Sequence, residues 1–370
     1  MNTNLQLANN YLIENESDSL LITNPDNIFY LSGFELHDNT PDREVFLLLS
    51  EKENLFITDG RLITHARKVL NKEFSVVERN HHVSMIRIIE AFLKKYNLKK
   101  LGFEKNNLTV AEFEKFNKEL KGIKLIGTEG FIEKLRLKKN QIEIEKIKKA
   151  AEITDRVFST LASLIRPGKT ELELVWKIKT LFNNFRVKEA FEPIVASGEG
   201  SAIPHYTSTA KKLKRGELVL FDFGAKHQGY CSDMTRVIFL GKADNKQQKI
   251  YQTVLDTQQK AIEQLNNETM KQSHVKASDI DKVARDDITS RGYPSIPHGL
   301  GHGVGISIHE DPRLNPKGLN LLSEGMVFTI EPGIYLPSWG GIRIEDLIVW
   351  NKDGIINLTK SPKNLIELES

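Results

Sequence analysis

Leu218-Val219-Leu220-Phe221-Asp222-Phe223-Gly224, followed after a short loop by Tyr230-Cys231-Ser232-Asp233-Met234-Thr235-Arg236-Val237-Ile238-Phe239, decides how this chain is read. Each run is an apolar strand interrupted by an acid. The connection from Ala225 to Gly229 has the length of a hairpin loop. Folded about the midpoint of His227 and Gln228, the hairpin sets Asp222 directly opposite Asp233. Directly opposed residues hold their Cβ atoms roughly 4.5–5.5 Å apart on one face. Two ionised carboxylates that close repel, so one is protonated or a cation lies between them. Catalytic metal pairs sit about 3.5–4 Å apart, a gap that facing carboxylates can span. The plain alternative is that one aspartate is a loop residue and the pairing is accidental, and the two alone do not decide.

Further along come His298-Gly299-Leu300-Gly301-His302-Gly303-Val304-Gly305 and Ile306-Ser307-Ile308-His309-Glu310. Glycines let a backbone pass close to something and turn tightly, and imidazole binds borderline metals. On a continuous strand His302 and His309 would face opposite ways, so a bulge or turn at the glycines is needed to bring both to one site. A zincin motif is excluded, because Arg313 stands where its second histidine belongs. The glycines do not form a dinucleotide fingerprint either.

Two more acids interrupt apolar strands. Met326-Val327-Phe328-Thr329-Ile330 ends in Glu331-Pro332-Gly333, and Gly341-Ile342-Arg343-Ile344-Glu345-Asp346-Leu347 carries Arg343 and Glu345 on one face. A glutamate there is costly unless paired or metal-bound. A buried Arg343–Glu345 ion pair would explain one acid, but not why several apolar strands each carry one. Four carboxylates at −4 balance two divalent ions at +4. Hard carboxylates with imidazole favour manganese, zinc, cobalt or iron(II) over copper.

The first third reads as an α/β layer domain. Its strand candidates are Leu20–Thr23, Ile28–Leu31, Val45–Leu49 and Leu55–Ile57, and Val83–Tyr96 has helical spacing. A long helix through Ile147, Val157 and Ile165 is expected to stop at Pro167-Gly168. Thr170 with Glu173 makes a capping box for the next helix. The linker is placed near Ile126-Gly127-Thr128, which divides the chain into domains 1–128 and 129–370.

Composition sets the outer bounds. A length of 370 residues suits two domains, and 39% hydrophobic with 27% charged residues reads as soluble and globular. A formal net charge of +3 gives no reason to expect nucleic-acid or membrane affinity. The single cysteine, Cys231, allows no intramolecular disulfide, and the first twenty residues lack the pattern of a signal peptide, so a cytoplasmic location is expected.

Over nearly its whole length the chain resembles the pita-bread metallopeptidases, the family of methionine aminopeptidase, aminopeptidase P and prolidase. The resemblance is carried by Asp222-Phe223-Gly224 with Asp233, Gly301-His302-Gly303-Val304-Gly305, His309-Glu310, Glu331-Pro332-Gly333 and Gly341–Asp346. It implies an α+β pita-bread catalytic domain behind a smaller creatinase/prolidase-type α/β domain. It also implies metal ligands at Asp222, Asp233, His302, Glu331 and Glu345, with Asp233 and Glu345 bridging. Pro204-His205-Tyr206 is similar to the family's substrate-side histidine motif, and His298, His309, Tyr335 and Arg343 match positions lining the pocket of proline-specific members. Leu31-Ser32-Gly33-Phe34, Thr58-Asp59-Gly60-Arg61 and Gly102-Phe103-Glu104 resemble the first domain of aminopeptidase P, prolidase and creatinase, a domain that methionine aminopeptidase usually lacks. One departure is Gly200, where many relatives carry asparagine.

The function so implied is a dinuclear-metal aminopeptidase releasing the first residue of peptides with proline second, using manganese, with cobalt or zinc as alternatives. Glu331 would act as general base, and His309 and His205 would stabilise the oxyanion or the leaving side. The nearer alternative is an Xaa-Pro dipeptidase. The remoter one is a non-catalytic peptide-binding module, which metal analysis would separate from an enzyme. A homodimer is expected, because the first domain often completes a neighbour's site in similar proteins.

Overall fold

A computed structural model of the chain describes residues 3–14, 17–36, 43–271 and 275–368. It forms two compact units, Met1–Arg136 and Leu137–Ser370. In the first, strands β1 (Ser19–Ile22), β2 (Phe46–Leu49), β3 (Leu55–Asp59), β4 (Ser75–Arg79), β5 (Lys100–Glu104) and β6 (Lys124–Thr128) make a mixed sheet in the order β4-β3-β2-β1-β5-β6. Helices α1 (Thr3–Glu14), α2 (Pro25–Ser32), α3 (Ile63–Val69), α4 (Met85–Lys95), α5 (Val110–Glu119) and α6 (Phe131–Leu137) accompany it. One core joins Leu21, Phe46, Leu48 and Ile57 of the sheet to Ile86, Ile89, Phe92 and Leu93 of α4. Helix α4 starts where the Ser84 hydroxyl accepts from the Arg87 N–H, an ordinary N-cap.

Two expectations for this unit change. Ile28–Leu31 is not a strand; it lies in α2. The Asn24 side chain accepts from the N–H groups of Asp26 and Asn27, Pro25 fills the first turn, and Gly33 closes the helix at φ 72°. These are start and stop signals that outweigh a four-residue apolar run. Ile126-Gly127-Thr128 is not a linker but part of β6, and the compact unit continues through α6 to Arg136.

The second unit contains, in chain order, α7 (Gln141–Ala162), α8 (Glu171–Asn184), β7 (Lys188–Glu189), β8 (Ile194–Ser197), β9 (Leu218–Asp222), β10 (Ala225–His227), β11 (Tyr230–Cys231), β12 (Thr235–Leu240), α9 (Asn245–Met270), β13 (Val275–Lys276) and α10 (Ala277–Ser290). It continues with β14 (Gly301–Gly303), β15 (Glu310–Leu314), β16 (Leu321–Leu322), β17 (Val327–Ile330), β18 (Gly333–Leu336), β19 (Gly340–Arg343), β20 (Asp346–Asn351), β21 (Gly354–Asn357) and β22 (Ile366–Leu368). Helix α7 stops at Ala162, short of Pro167, and α8 carries the expected Thr170–Glu173 capping box.

The sheet β22-β12-β9-β8 explains why the opening strand is apolar at consecutive positions. Val219, Phe221 and Ile238 pack with Val157, Phe158, Ile178 and Phe182 of α7 and α8. Leu218, Leu220, Val237 and Phe239 pack with Ile250, Val254, Ile280 and Ala284 of α9 and α10. Both faces are covered, so alternation with polar residues is lost. A second sheet, in the order β15-β14-β17-β20-β21, carries His302 and leads into Glu331, and a separate pairing of β18 with β19 carries Tyr335 and Arg343.

Candidate metal centre and active site

The four acids sit at or beside strand ends, and the one histidine sits in a short strand of glycines. Asp222 closes β9, Asp233 precedes β12, His302 is the middle of β14, Glu331 follows β17, and Glu345 falls between β19 and β20. All five line one cavity of about 240 Å³.

The hairpin register differs from the expected one. Asp222 pairs with Thr235, and His227 pairs with Tyr230. The turn is therefore Gln228-Gly229, with φ 48° and 80°, two successive positive values that a glycine at the second position accommodates. Moving the turn by one residue moves the partner by two, so Asp233 stays on the expected face but lies diagonal to Asp222. Opposite Asp233 the backbones crowd together. A Cβ on Gly224 would fall 1.7 Å from the Ser232 carbonyl oxygen, so only glycine fits.

The glycines around His302 serve the same close approach. A Cβ on Gly301 would lie 2.0 Å from the Thr329 oxygen, and one on Gly303 2.1 Å from that of Asp311. The ladder between β14 and β15 shifts register between His302 and Gly303. With that irregularity the His302 and His309 rings meet edge to face, centroids 4.3 Å apart.

Ligand-type atoms of Asp233, His302 and Glu345 all lie within 4.8 Å of one another. His302 Nε2 is 3.6 Å from Asp233 Oδ2 and 3.5 Å from Glu331 Oε1. Donors bound to one cation at about 2.0–2.2 Å stand roughly 3–4 Å apart, so this spacing suits a metal. The Oδ1 atoms of Asp222 and Asp233 are buried with no hydrogen-bond partner among the described residues. Orphaned carboxylate oxygens are costly unless a cation meets them.

The electrostatics agree. Burial, then Glu345, Asp222 and Glu331, hold the Asp233 carboxyl well above the usual carboxylate range. Burial, then Glu345, does the same to Glu331, and burial, then Asp222, lifts Glu345 to about 7. Burial, then His309, pushes His302 down to about 3, and burial, then Arg343, pushes His298 down to about 4. The result is neutral imidazole among carboxyls that cannot all ionise unaided, and cations would reverse the carboxyl shifts. The donor set fits two divalent ions held by Asp222, Asp233, His302, Glu331 and Glu345.

Arg343 does not pair with Glu345. Its guanidinium bonds Asp222, its Nε donates to Thr235 Oγ1 at 3.0 Å, and its Nη1 donates to the Tyr335 hydroxyl oxygen at 3.1 Å. Glu345 instead accepts from Thr235 Oγ1 at 2.6 Å, so one threonine joins the two. The strand ends at Arg343, and the same-face rule ends with it.

His205, His298, His309 and Arg343 line the cavity with the five. Tyr335 is not among the lining residues. It stands behind them with its hydroxyl 2.8 Å from His298 Nε2, and burial pushes its pKa up to about 12. Phe191, Ile194, Ile308, Arg313 and Asn315 also line the cavity and were missed in the sequence reading. Arg313 carried a signal, because it follows His309 at even spacing. It is exposed, in register with His302, and has no carboxylate partner among the described residues.

Residues 145–352 match the family described as Metallopeptidase family M24, and residues 5–138 match the Creatinase/Prolidase N-terminal domain. The chain is 35% identical to an Xaa-Pro dipeptidase of Pyrococcus horikoshii, over 99% of this chain and 99% of that one. Among solved structures, an Xaa-Pro dipeptidase from Bacillus anthracis superposes with a TM-score of 0.90 at 34% identity, covering 99% of each chain. An X-Pro aminopeptidase from Thermotoga maritima superposes with a TM-score of 0.86 at 31% identity, covering 95% of this chain and 98% of the other.

Proposed function

The chain belongs to metallopeptidase family M24, the pita-bread metallopeptidases, and we propose that it is an Xaa-Pro dipeptidase. This reverses the order of the two readings drawn from the sequence, which placed the aminopeptidase first. The observation that carries the reversal is Arg313. A dipeptide presents a free carboxylate just beyond the scissile bond, whereas a longer peptide presents an amide there. Arg313 offers that carboxylate a guanidinium not already committed to an acid among the described residues. Guanidinium–carboxylate bonds are charge-assisted and directional. Arg343 cannot take this part, since it is spent on Asp222. The names of the Pyrococcus and Bacillus relatives support the same choice. The Thermotoga relative keeps the aminopeptidase as the second reading.

Two divalent ions bound by Asp222, Asp233, His302, Glu331 and Glu345 would supply Lewis acidity and make a water nucleophilic near neutral pH. In this reading Glu331 would take a proton from the attacking water. Its Oε1 accepts from Thr329 Oγ1 at 3.3 Å, and its backbone N–H is tied to the Leu300 carbonyl at 2.8 Å. His309 and His205, which line the cavity, would stabilise the oxyanion or the leaving side. His298, steadied by Tyr335, faces the substrate as a neutral ring. Arg343 orders Asp222 and Thr235. Manganese as the metal, a homodimer and a cytoplasmic location complete the reading. No helix among the described residues is long and apolar enough to cross a membrane.

Arg313→Met tests the carboxylate clamp. The expected result is a rise in KM for Ala-Pro, on the order of 10–100-fold for a lost charge-assisted bond of roughly 1.5–3 kcal/mol. Hydrolysis of Ala-Pro-amide should hardly change. Equal losses on both substrates would remove the argument for a dipeptidase.

A further inference from the structure

We propose that Glu171 is a positioning residue for His205, because one buried carboxylate holds both ends of the loop that carries this histidine. Glu171 is the first residue of α8 and is fully buried. One of its oxygens, Oε1, accepts from the Ser197 N–H at 2.9 Å and the Ser197 hydroxyl at 2.7 Å. The other, Oε2, accepts from the Thr209 N–H at 3.0 Å, the Thr209 hydroxyl at 3.0 Å and the Tyr206 hydroxyl at 3.1 Å. Ser197 lies before His205 and Thr209 after it, and Tyr206 is its neighbour. The loop therefore leaves the carboxylate, carries His205 to the cavity wall, and returns to the same carboxylate.

His205 itself is exposed, so burial of its own side chain does not fix it. Its placement falls to the anchors on either side. A loop tied at both ends to one rigid group has fewer states to choose among, and a misplacement of about 1 Å at a reacting centre can cost on the order of 100-fold in rate. The same arrangement gives Gly200 a reason. A Cβ there would lie 2.9 Å from Cζ of the Tyr206 ring, displacing the ring whose hydroxyl reaches Glu171.

The role of His205 toward substrate rests on the dipeptidase reading; the anchoring of its loop does not. The test is Glu171→Gln in the full-length, manganese-loaded protein, since a neutral amide offers only one accepting oxygen for five donors. Two readouts are taken: hydrogen exchange of residues 197–209, and kcat/KM on Ala-Pro in a double-mutant cycle with His205→Ala. We expect faster exchange confined to that loop, unchanged manganese affinity, and a loss on the order of 100-fold in kcat/KM. In the His205→Ala background the same substitution should cause little further loss. Unchanged exchange, or losses that multiply in the double variant, would overturn the inference. A wild-type protein that cleaves no Xaa-Pro peptide would instead count against the dipeptidase reading, and the exchange experiment would still decide whether Glu171 holds the loop. If Glu171→Gln does not fold, Tyr206→Phe and Thr209→Val each remove one donor and should move both readouts the same way by less. Gly200→Ala should do likewise by shifting Tyr206. No change in any of the three would also overturn the inference.

Discussion

Asp222 stands in register with Thr235, and Asp233 reaches the same cavity from the diagonal position, across a ladder so tight that Gly224 has no room for a side chain. The two aspartates are thus set by a backbone contact as much as by their own spacing.

Gly224→Ala should disturb this contact directly. The added carbon meets a carbonyl oxygen at 1.7 Å, a backbone atom that cannot swing aside. Overpacking of this kind costs roughly 1–3 kcal/mol, occasionally more. Thermal unfolding should show the loss, and calorimetric titration with manganese should show weakened binding, because Asp233 moves with the strand. A variant that binds manganese as tightly as the wild type would mean that the close approach does not set the site.

Thr235→Val removes the hydroxyl that donates to Glu345 at 2.6 Å and accepts from Arg343 Nε at 3.0 Å. Side chains that orient metal ligands typically contribute 10–100-fold in metal affinity. Valine keeps the shape, so the fold should survive with a loss of about 1–3 kcal/mol from unpaired polar groups. Manganese affinity should fall by roughly 10–100-fold. Unaltered affinity would show that Glu345 needs no such support.

Stability against pH should depend on whether metal is bound. In the metal-free protein Asp233, Glu331 and Glu345 have folded pKa values above their unfolded ones, with Glu345 at about 7. Their contribution is complete below roughly pH 4 and is lost as pH rises through the folded values. His298 and His302, depressed to about 4 and about 3, act oppositely: their contribution is present above roughly 6.5 and lost as pH falls. The two sets offset each other between about pH 4 and 6.5. Above the usual histidine value of roughly 6.5 the carboxyls set the trend, so the melting temperature of chelator-treated protein should fall as pH rises from there through about 7. Manganese binds the deprotonated ligands, so the increase in melting temperature that it produces should grow over the same range. A metal-free melting temperature that rises there would contradict the site electrostatics.

The four acids that line the cavity were legible because each ends or interrupts an apolar run, where burial makes a charge costly and therefore informative, and His302 was legible from the glycines around it. The register was not, because a turn centred on His227-Gln228 and one centred on Gln228-Gly229 leave every side chain on the same face. Only the demand for glycine at the second positive φ separates them. Helix α2 was misread because four apolar residues suit a strand as well as a helix, and the decisive signals were Asn24, Pro25 and Gly33 at its ends. Arg343 appeared to share a face with Glu345, yet its partner Asp222 comes from a strand far away in sequence. Arg313 was read only as the residue that excludes a zincin, although its even spacing from His309 pointed to the cavity. Glu171 went unremarked because its importance lies in the loop that tertiary structure brings to it, and a charge at a helix start is unremarkable until those contacts are known.

The most direct test of the account is the rate of hydrolysis of Ala-Pro, Ala-Pro-Ala and Ala-Pro-amide by wild-type protein loaded with manganese and again after chelation. The account predicts that Ala-Pro is cleaved much faster than the other two, and that chelation abolishes the activity until metal is returned. Preferential cleavage of Ala-Pro-Ala, or undiminished hydrolysis without metal, would contradict it.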